Sequence, residues 1–224
     1  GLATVINGAL VLSCFFGAAP PAPYPPKMQT LTLLSANVLS QNRDHERLIA
    51  LVRREQPQVL ALQEVTARWA RALRTLHGDY PHRLVQARPD NFGIALFSRL
   101  PLRQPRVIDL GGSGLPSIEA IVELTQGQRV TLLLTHPMPP VGSEGFRLRD
   151  TQLAAASARL RSLSGPRILA GDLNATVLSP SYRWALARSG LSDARRGRGL
   201  LTTWPADAGL LGALFVEMEI HLRA

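Results

Sequence analysis

The 224 residues suffice to bury one sizeable core, so a single α/β or α+β domain is the default, and no internal repeat argues otherwise. The lone cysteine, Cys14, excludes an intramolecular disulfide. A formal net charge of +9 rests on arginine, since Lys27 is the only lysine; guanidinium forks suit a phosphorylated or anionic partner without separating nucleic acid from lipid phosphate.

Residues 1–19 carry no charge, and Leu10, Val11, Leu12, Phe15 and Phe16 lie in an apolar run about long enough to cross a hydrocarbon layer. The run reads as a membrane helix preceded by further sequence, because the chain opens on Gly and lacks a basic flank. The alternative is the core of a secretory signal with Gly17-Ala18-Ala19 as its cleavage zone. Pro20, Pro21, Pro23, Pro25 and Pro26 then predict a semi-rigid linker over 20–28, leaving 29–224 as the folded domain.

Within that domain apolar runs and helical repeats alternate. A strand over Leu31–Asn37 is followed by a helix over Arg43–Gln56 with Leu48, Leu51 and Val52 on one face, ended by Pro57. Val59–Glu64 reads as a strand. Thr66 caps a helix in which Trp69, Leu73 and Leu76 recur at helical spacing, with Gly78 as its stop. Ile94–Phe97, Ile118–Leu124 and Val130–Leu134 are predicted strands, the last two joined at Gly127. A hairpin there argues against an all-parallel sheet, which needs helical crossovers. Phe146–Leu163 is predicted as a long helix with Leu148, Leu153, Ala156 and Leu160 inward. In the last segment Val216, Met218, Ile220 and Leu222 alternate with Glu217, Glu219, His221 and Arg223, a half-buried strand pattern.

The richest run is Gly171-Asp172-Leu173-Asn174-Ala175-Thr176, which leaves the apolar stretch Ile168–Ala170. On an extended strand Asp172 and Asn174 share a face; the Asp can orient or deprotonate a water while the Asn donates an amide hydrogen to a phosphoryl oxygen. Asp and Asn capping a following helix is the competing explanation. Other strands also end in polar ligands: Leu31–Asn37 in Asn, Val59–Glu64 in Gln63 and Glu64, and Val130–Thr135 in His136, stiffened by Pro137, Pro139 and Pro140. Oxygen donors with few nitrogens and no thiol favour magnesium or manganese over zinc.

These pieces resemble the endonuclease/exonuclease/phosphatase superfamily of deoxyribonuclease-like, metal-dependent phosphoesterases. The matching segments are Ser35-Ala36-Asn37-Val38, Leu62-Gln63-Glu64-Val65, Asn91 to Arg99, Thr135 to Pro140, Gly171 to Thr176 and Thr203-Trp204-Pro205, in the family's order. The resemblance is greatest to a membrane-anchored bacterial branch. It implies an α+β fold, a four-layer α/β/β/α sandwich with the motifs at one edge, and placement of the domain outside the cytoplasm at the cell envelope, or secretion. It further implies Glu64 as the acidic metal ligand assisted by Asn37, magnesium or manganese as cofactor, and His136, Asp172 and Asn174 as catalytic residues. The substrate would be phosphorylated: nucleic acid, lipid or inositol phosphate. Asn42 is either a second polar residue of the first loop or, with Asp44, the start of the following helix. The family's later Ile-Asp-His and Ser-Asp-His-Pro strands find no match, and Glu217 and His221 sit in no matching motif. The resemblance therefore implies impaired hydrolysis, with an inactive, membrane-tethered phosphate- or metal-binding module as the alternative.

Overall fold

Apolar runs become strands throughout the computed structural model, which describes residues 30–194 and the backbone of 213–214. The strands are β1 (Leu33–Asn37), β2 (Val59–Gln63), β3 (His82–Gln86), β4 (Ile94–Ser98), β5 (Leu102–Asp109), β6 (Pro116–Glu123), β7 (Arg129–Thr135), β8 (Arg167–Ala170) and β9 (Ala213–Leu214). The helices are α1 (His45–Glu55), α2 (Ala67–Ala72), α3 (Gly142–Arg161) and α4 (Pro180–Ser189). One sheet has the order β3-β4-β2-β1-β9 and the other β5-β6-β7-β8.

Strand periodicity sorts the side chains into layers. Leu33, Val59, Ala61, Ile94 and Leu96 face Ile118, Ala120, Val122, Val130, Leu132, Leu134 and Ile168 between the sheets. The opposite face of the first sheet, with Leu34, Leu60, Leu62 and Phe97, is covered by Leu48, Ile49 and Val52 of α1 and by Trp69 of α2. Leu133, on the outer face of the second sheet, packs on Ala156 and Leu160 of α3. Helices thus cover both outer faces, giving the expected α+β sandwich. Burying each large aliphatic side chain contributes about 1.5–3 kcal/mol, which makes the three apolar layers the main stabilising term.

Two parallel pairs decide where the site lies. β1 runs parallel to β2 with Asn37 opposite Gln63, and β7 runs parallel to β8 with Leu134 opposite Ala170. Parallel neighbours end on the same side, so each pair delivers two strand ends together. Elsewhere pairing is antiparallel, including the β6–β7 hairpin closed by a 3-10 turn at Thr125–Gly127.

Several expectations need correction. The long helix starts at Gly142, four residues before Phe146, because the turn after Pro139 and Pro140 already bonds Val141 N to the Pro139 carbonyl. Leu148 is only half-buried, and its place on the inner face is taken by Arg149 and Gln152. α2 ends at Ala72 and continues as a 3-10 turn over Leu73–Leu76, short of Gly78. Asp172 and Asn174 do not lie on an extended strand: β8 stops at Ala170, and Asn174 has a left-handed backbone with φ 48°. Strands β3 and β5 and helix α4 lie where no element was predicted. The apolar segment 1–19, the linker 20–28, Thr203-Trp204-Pro205, Glu217 and His221 fall outside the described residues. Among the described residues no helix is long and apolar enough to cross a membrane.

Candidate active site

The ends of β1 and β2 and the ends of β7 and β8 converge at one edge of the sandwich. Asn37, the last residue of β1, aims its amide between two carboxylates: Nδ2 donates to Glu64 Oε1 at 2.8 Å and to Asp172 Oδ2 at 3.2 Å. Its Oδ1 accepts from Leu39 N at 3.0 Å, which fixes the amide with nitrogen toward the carboxylates. Glu64, 8% exposed, accepts a second bond at Oε2 from Ser40 N at 2.9 Å. Both Leu39 and Glu64 have left-handed backbones, φ 57° and 62°, which non-glycine residues adopt at a cost and retain where neighbouring bonds hold them.

The other half of the site hangs from the second sheet. Gly171, φ 129°, approaches β7 so closely that a Cβ would collide with the Thr135 carbonyl oxygen. Asp172 Oδ1 accepts from Asn174 N at 3.0 Å, closing an Asx turn instead of capping a helix. Asn174 Nδ2 donates to the Pro137 carbonyl at 2.9 Å and so joins the loop after β8 to the loop after β7. One of the two amide hydrogens expected to face a phosphoryl group is therefore committed to structure. His136 is 3% exposed, and its buried Nδ1 has no hydrogen-bond partner. Burial holds the imidazole below its ordinary pKa, opposed by the charges of Asp172 and Glu64 and by a backbone hydrogen bond at Asn91, so the ring is neutral at pH 7. The Phe92 ring lies 5.6 Å from it, centroid to centroid.

A continuous chain of bonds thus links Glu64, Asn37, Asp172, Asn174 and the residue following His136. The five residues singled out in the sequence come together. Ser40, Asn91 and Arg149 also serve the site: Ser40 Oγ donates to Asn91 Oδ1 at 2.6 Å, and Arg149 holds the Asn174 carbonyl at 3.2 Å. Gly93 gives the signal for the Asn91 loop, since a Cβ there would strike the Val65 carbonyl oxygen. Asn42 serves the loop instead: its Oδ1 accepts from Asp44 N, and Asp44 caps α1 through Arg47 N.

The donor set is hard. Two carboxylates on one amide concentrate negative charge, and every carboxylate oxygen retains a lone pair; these properties fit a magnesium- or manganese-type cation. Among the described residues no group of three or more His, Cys, Asp or Glu side chains assembles.

The sequence model of the Endonuclease/Exonuclease/phosphatase family matches residues 34–213. The chain belongs to this family. Membership supports a metal-dependent phosphoesterase or nuclease type of activity. No curated protein matches the sequence. Among solved structures the fold is similar to sphingomyelinase C from Streptomyces griseocarneus, with a TM-score of 0.62 at 20% identity over 74% of this chain and 72% of that one. It is also similar to an endonuclease/exonuclease/phosphatase protein from Beutenbergia cavernae, TM-score 0.61 at 21% identity, 74% of this chain and 55% of that one. A third is D. rerio TDP2 complexed with single strand DNA product, TM-score 0.58 at 18% identity over 72% of this chain and 65% of that one. The chain therefore spans just over half of the Beutenbergia protein and just under two thirds of the TDP2 chain.

Proposed function

We propose that this family member hydrolyses phosphoesters with a divalent cation, magnesium or manganese, held by Glu64. The observation that carries the reading is the Asn37 amide bridging Glu64 and Asp172 at 2.8 and 3.2 Å. It brings two carboxylates, that of Glu64 buried, to a single amide, which concentrates negative charge where a cation would offset it. A cation there would neutralise charge developing on the phosphoryl oxygens.

This chain's residues take the remaining roles. Asn37 holds the Glu64 carboxylate in place through its nitrogen and stands beside the phosphate. Asp172, fixed at Oδ1 by the Asn174 backbone, orients the attacking water and receives its proton through Oδ2. His136, neutral, contributes polar contact to the phosphoryl or leaving oxygen, while the second Asn174 amide hydrogen stabilises the same charge. A sphingomyelinase C and a TDP2 complexed with single strand DNA product among the structural relatives support a phosphodiester in general.

A second reading is a module that binds the cation and phosphate without turnover, favoured by the commitment of one Asn174 amide hydrogen to the Pro137 carbonyl. Hydrolysis of bis(p-nitrophenyl) phosphate with added magnesium separates the two. Turnover that Asp172→Ala reduces by about 100-fold or more supports the hydrolase. Cation binding with no turnover above the Asp172→Ala background supports the module and overturns the hydrolase.

A further inference from the structure

Helix α3 turns two buried polar side chains toward the strand-end loops, and neither has a part in the chemistry above. Arg149, 5% exposed, spreads its guanidinium over three partners: Nη1 donates to the Asn174 carbonyl at 3.2 Å, Nη2 to Ser181 Oγ at 3.0 Å and Nε to Asp150 Oδ1 at 2.9 Å. One turn later Gln152 Oε1 accepts from Met138 N at 2.9 Å. The Asn174 Nδ2 bond to the Pro137 carbonyl closes the circuit. The loop bearing His136 and the loop bearing Asp172 are thus tied to each other and to one helix, and through Ser181 to α4.

We infer that Arg149 is a positioning residue: its hold on the Asn174 carbonyl fixes the left-handed turn whose backbone N–H sets the direction of the Asp172 carboxylate. Three observations meet here. Asn174 sits at φ 48°, a conformation a non-glycine residue leaves unless it is held. The bond that aims Asp172 comes from that same residue's N–H. Its carbonyl receives a charge-assisted bond from a side chain nearly free of solvent, where such bonds are strong. A guanidinium reaches Asn174 and Ser181 together because its donors form a rigid fork; a lysine ammonium reaches one. Gly145 lets the same helix lie against the Pro139 carbonyl, where a Cβ would crowd it, so α3 is seated on both loops.

The inference rests on the proposed hydrolysis only for its kinetic arm, and a second arm needs no activity. In the full chain, Arg149→Met is expected to lower kcat for bis(p-nitrophenyl) phosphate by about 10- to 100-fold with KM changed less than about threefold, because a small displacement of the water-orienting group costs turnover rather than binding. Arg149→Lys should recover part of the loss. Amide hydrogen exchange measured by mass spectrometry should quicken by about tenfold or more in peptides covering 136–141 and 171–176, while β2 and β4 keep the parent's protection. Should Arg149→Met not fold, Arg149→Lys decides by the same readouts. Unchanged kcat in an active parent, with only a lowered Tm, overturns the inference, as does unchanged exchange in both loops. A parent without magnesium-dependent turnover removes the proposed function and leaves exchange to decide the role of Arg149.

Discussion

Gly171 shows how little room a single residue has at this edge. Its φ of 129° and the Thr135 carbonyl oxygen lying where a Cβ would stand leave Ala no position that avoids moving β8 off β7. Gly171→Ala should cost about 2–4 kcal/mol, read as a lowered urea midpoint, and should displace Asp172 with it. Parent-like stability would show that the strands separate there at no cost. His136 makes a prediction in pH. Its folded pKa lies below the ordinary 6.5, chiefly through burial, so the unfolded chain binds the proton first as pH falls. Its contribution to stability is full above about 6.5 and declines as pH drops from there through the lower folded value. Urea unfolding between pH 7 and 5 should show that decline, flattened in His136→Asn. An unchanged slope would assign it to His45 and His77, whose pKa values burial also lowers. Glu64, His136 and Asp172 were legible because each follows an apolar run. Arg149 was not, since an arginine among helical residues reads as solvated until the helix's partners are known. The commitment of Asn174 Nδ2 to Pro137 depends on two loops 37 residues apart in sequence, which no local pattern reports.

At the scale of elements, the parallel pairs carry the site and the antiparallel strands carry the frame. Short apolar runs such as Val59–Gln63 and Val130–Leu134, buried nearly throughout, announce themselves by composition. β3 and β5 do not: β3 is at most half-buried, and β5 is an exposed edge strand with Pro105 at a bulge between Arg103 and Arg106. α4 has readable punctuation, with Ser179 capping Tyr182 N, Pro180 in the first turn and Gly190 in a left-handed conformation at the end, but its short apolar face gives no clear helical repeat. α3 is fastened to the second sheet by Glu119 as well as by Leu133. The Arg159 guanidinium, and secondarily Arg106, hold the Glu119 carboxyl below the usual carboxylate range. Glu119→Gln should destabilise by about 1–2 kcal/mol at pH 7, since a buried carboxylate serves two arginines that are themselves partly solvated. The difference between variant and parent should shrink as pH falls from about 4.5, where the unfolded chain's carboxyl takes up its proton first, through the lower folded value. A constant difference down to acid pH would assign the loss to shape rather than charge.

For the whole molecule, two sheets packed face to face do for the site what neither does alone: the first contributes Asn37 and Glu64, the second His136, Asp172 and Asn174, and the Asn37 amide spans the two. The sandwich itself was legible through the resemblance of its motifs, whereas the residues alone established no more than an α/β or α+β domain with a hairpin. The central claim is that this shared edge binds a divalent cation through Glu64. Calorimetric titration of the full chain with manganese, beside Glu64→Gln, tests it most directly, because Gln keeps an acceptor for Asn37 or Ser40 and removes the charge. Saturable binding in the parent, weakened about tenfold or more in Glu64→Gln, is the predicted result; equal binding in the two proteins, or none in the parent, would contradict it.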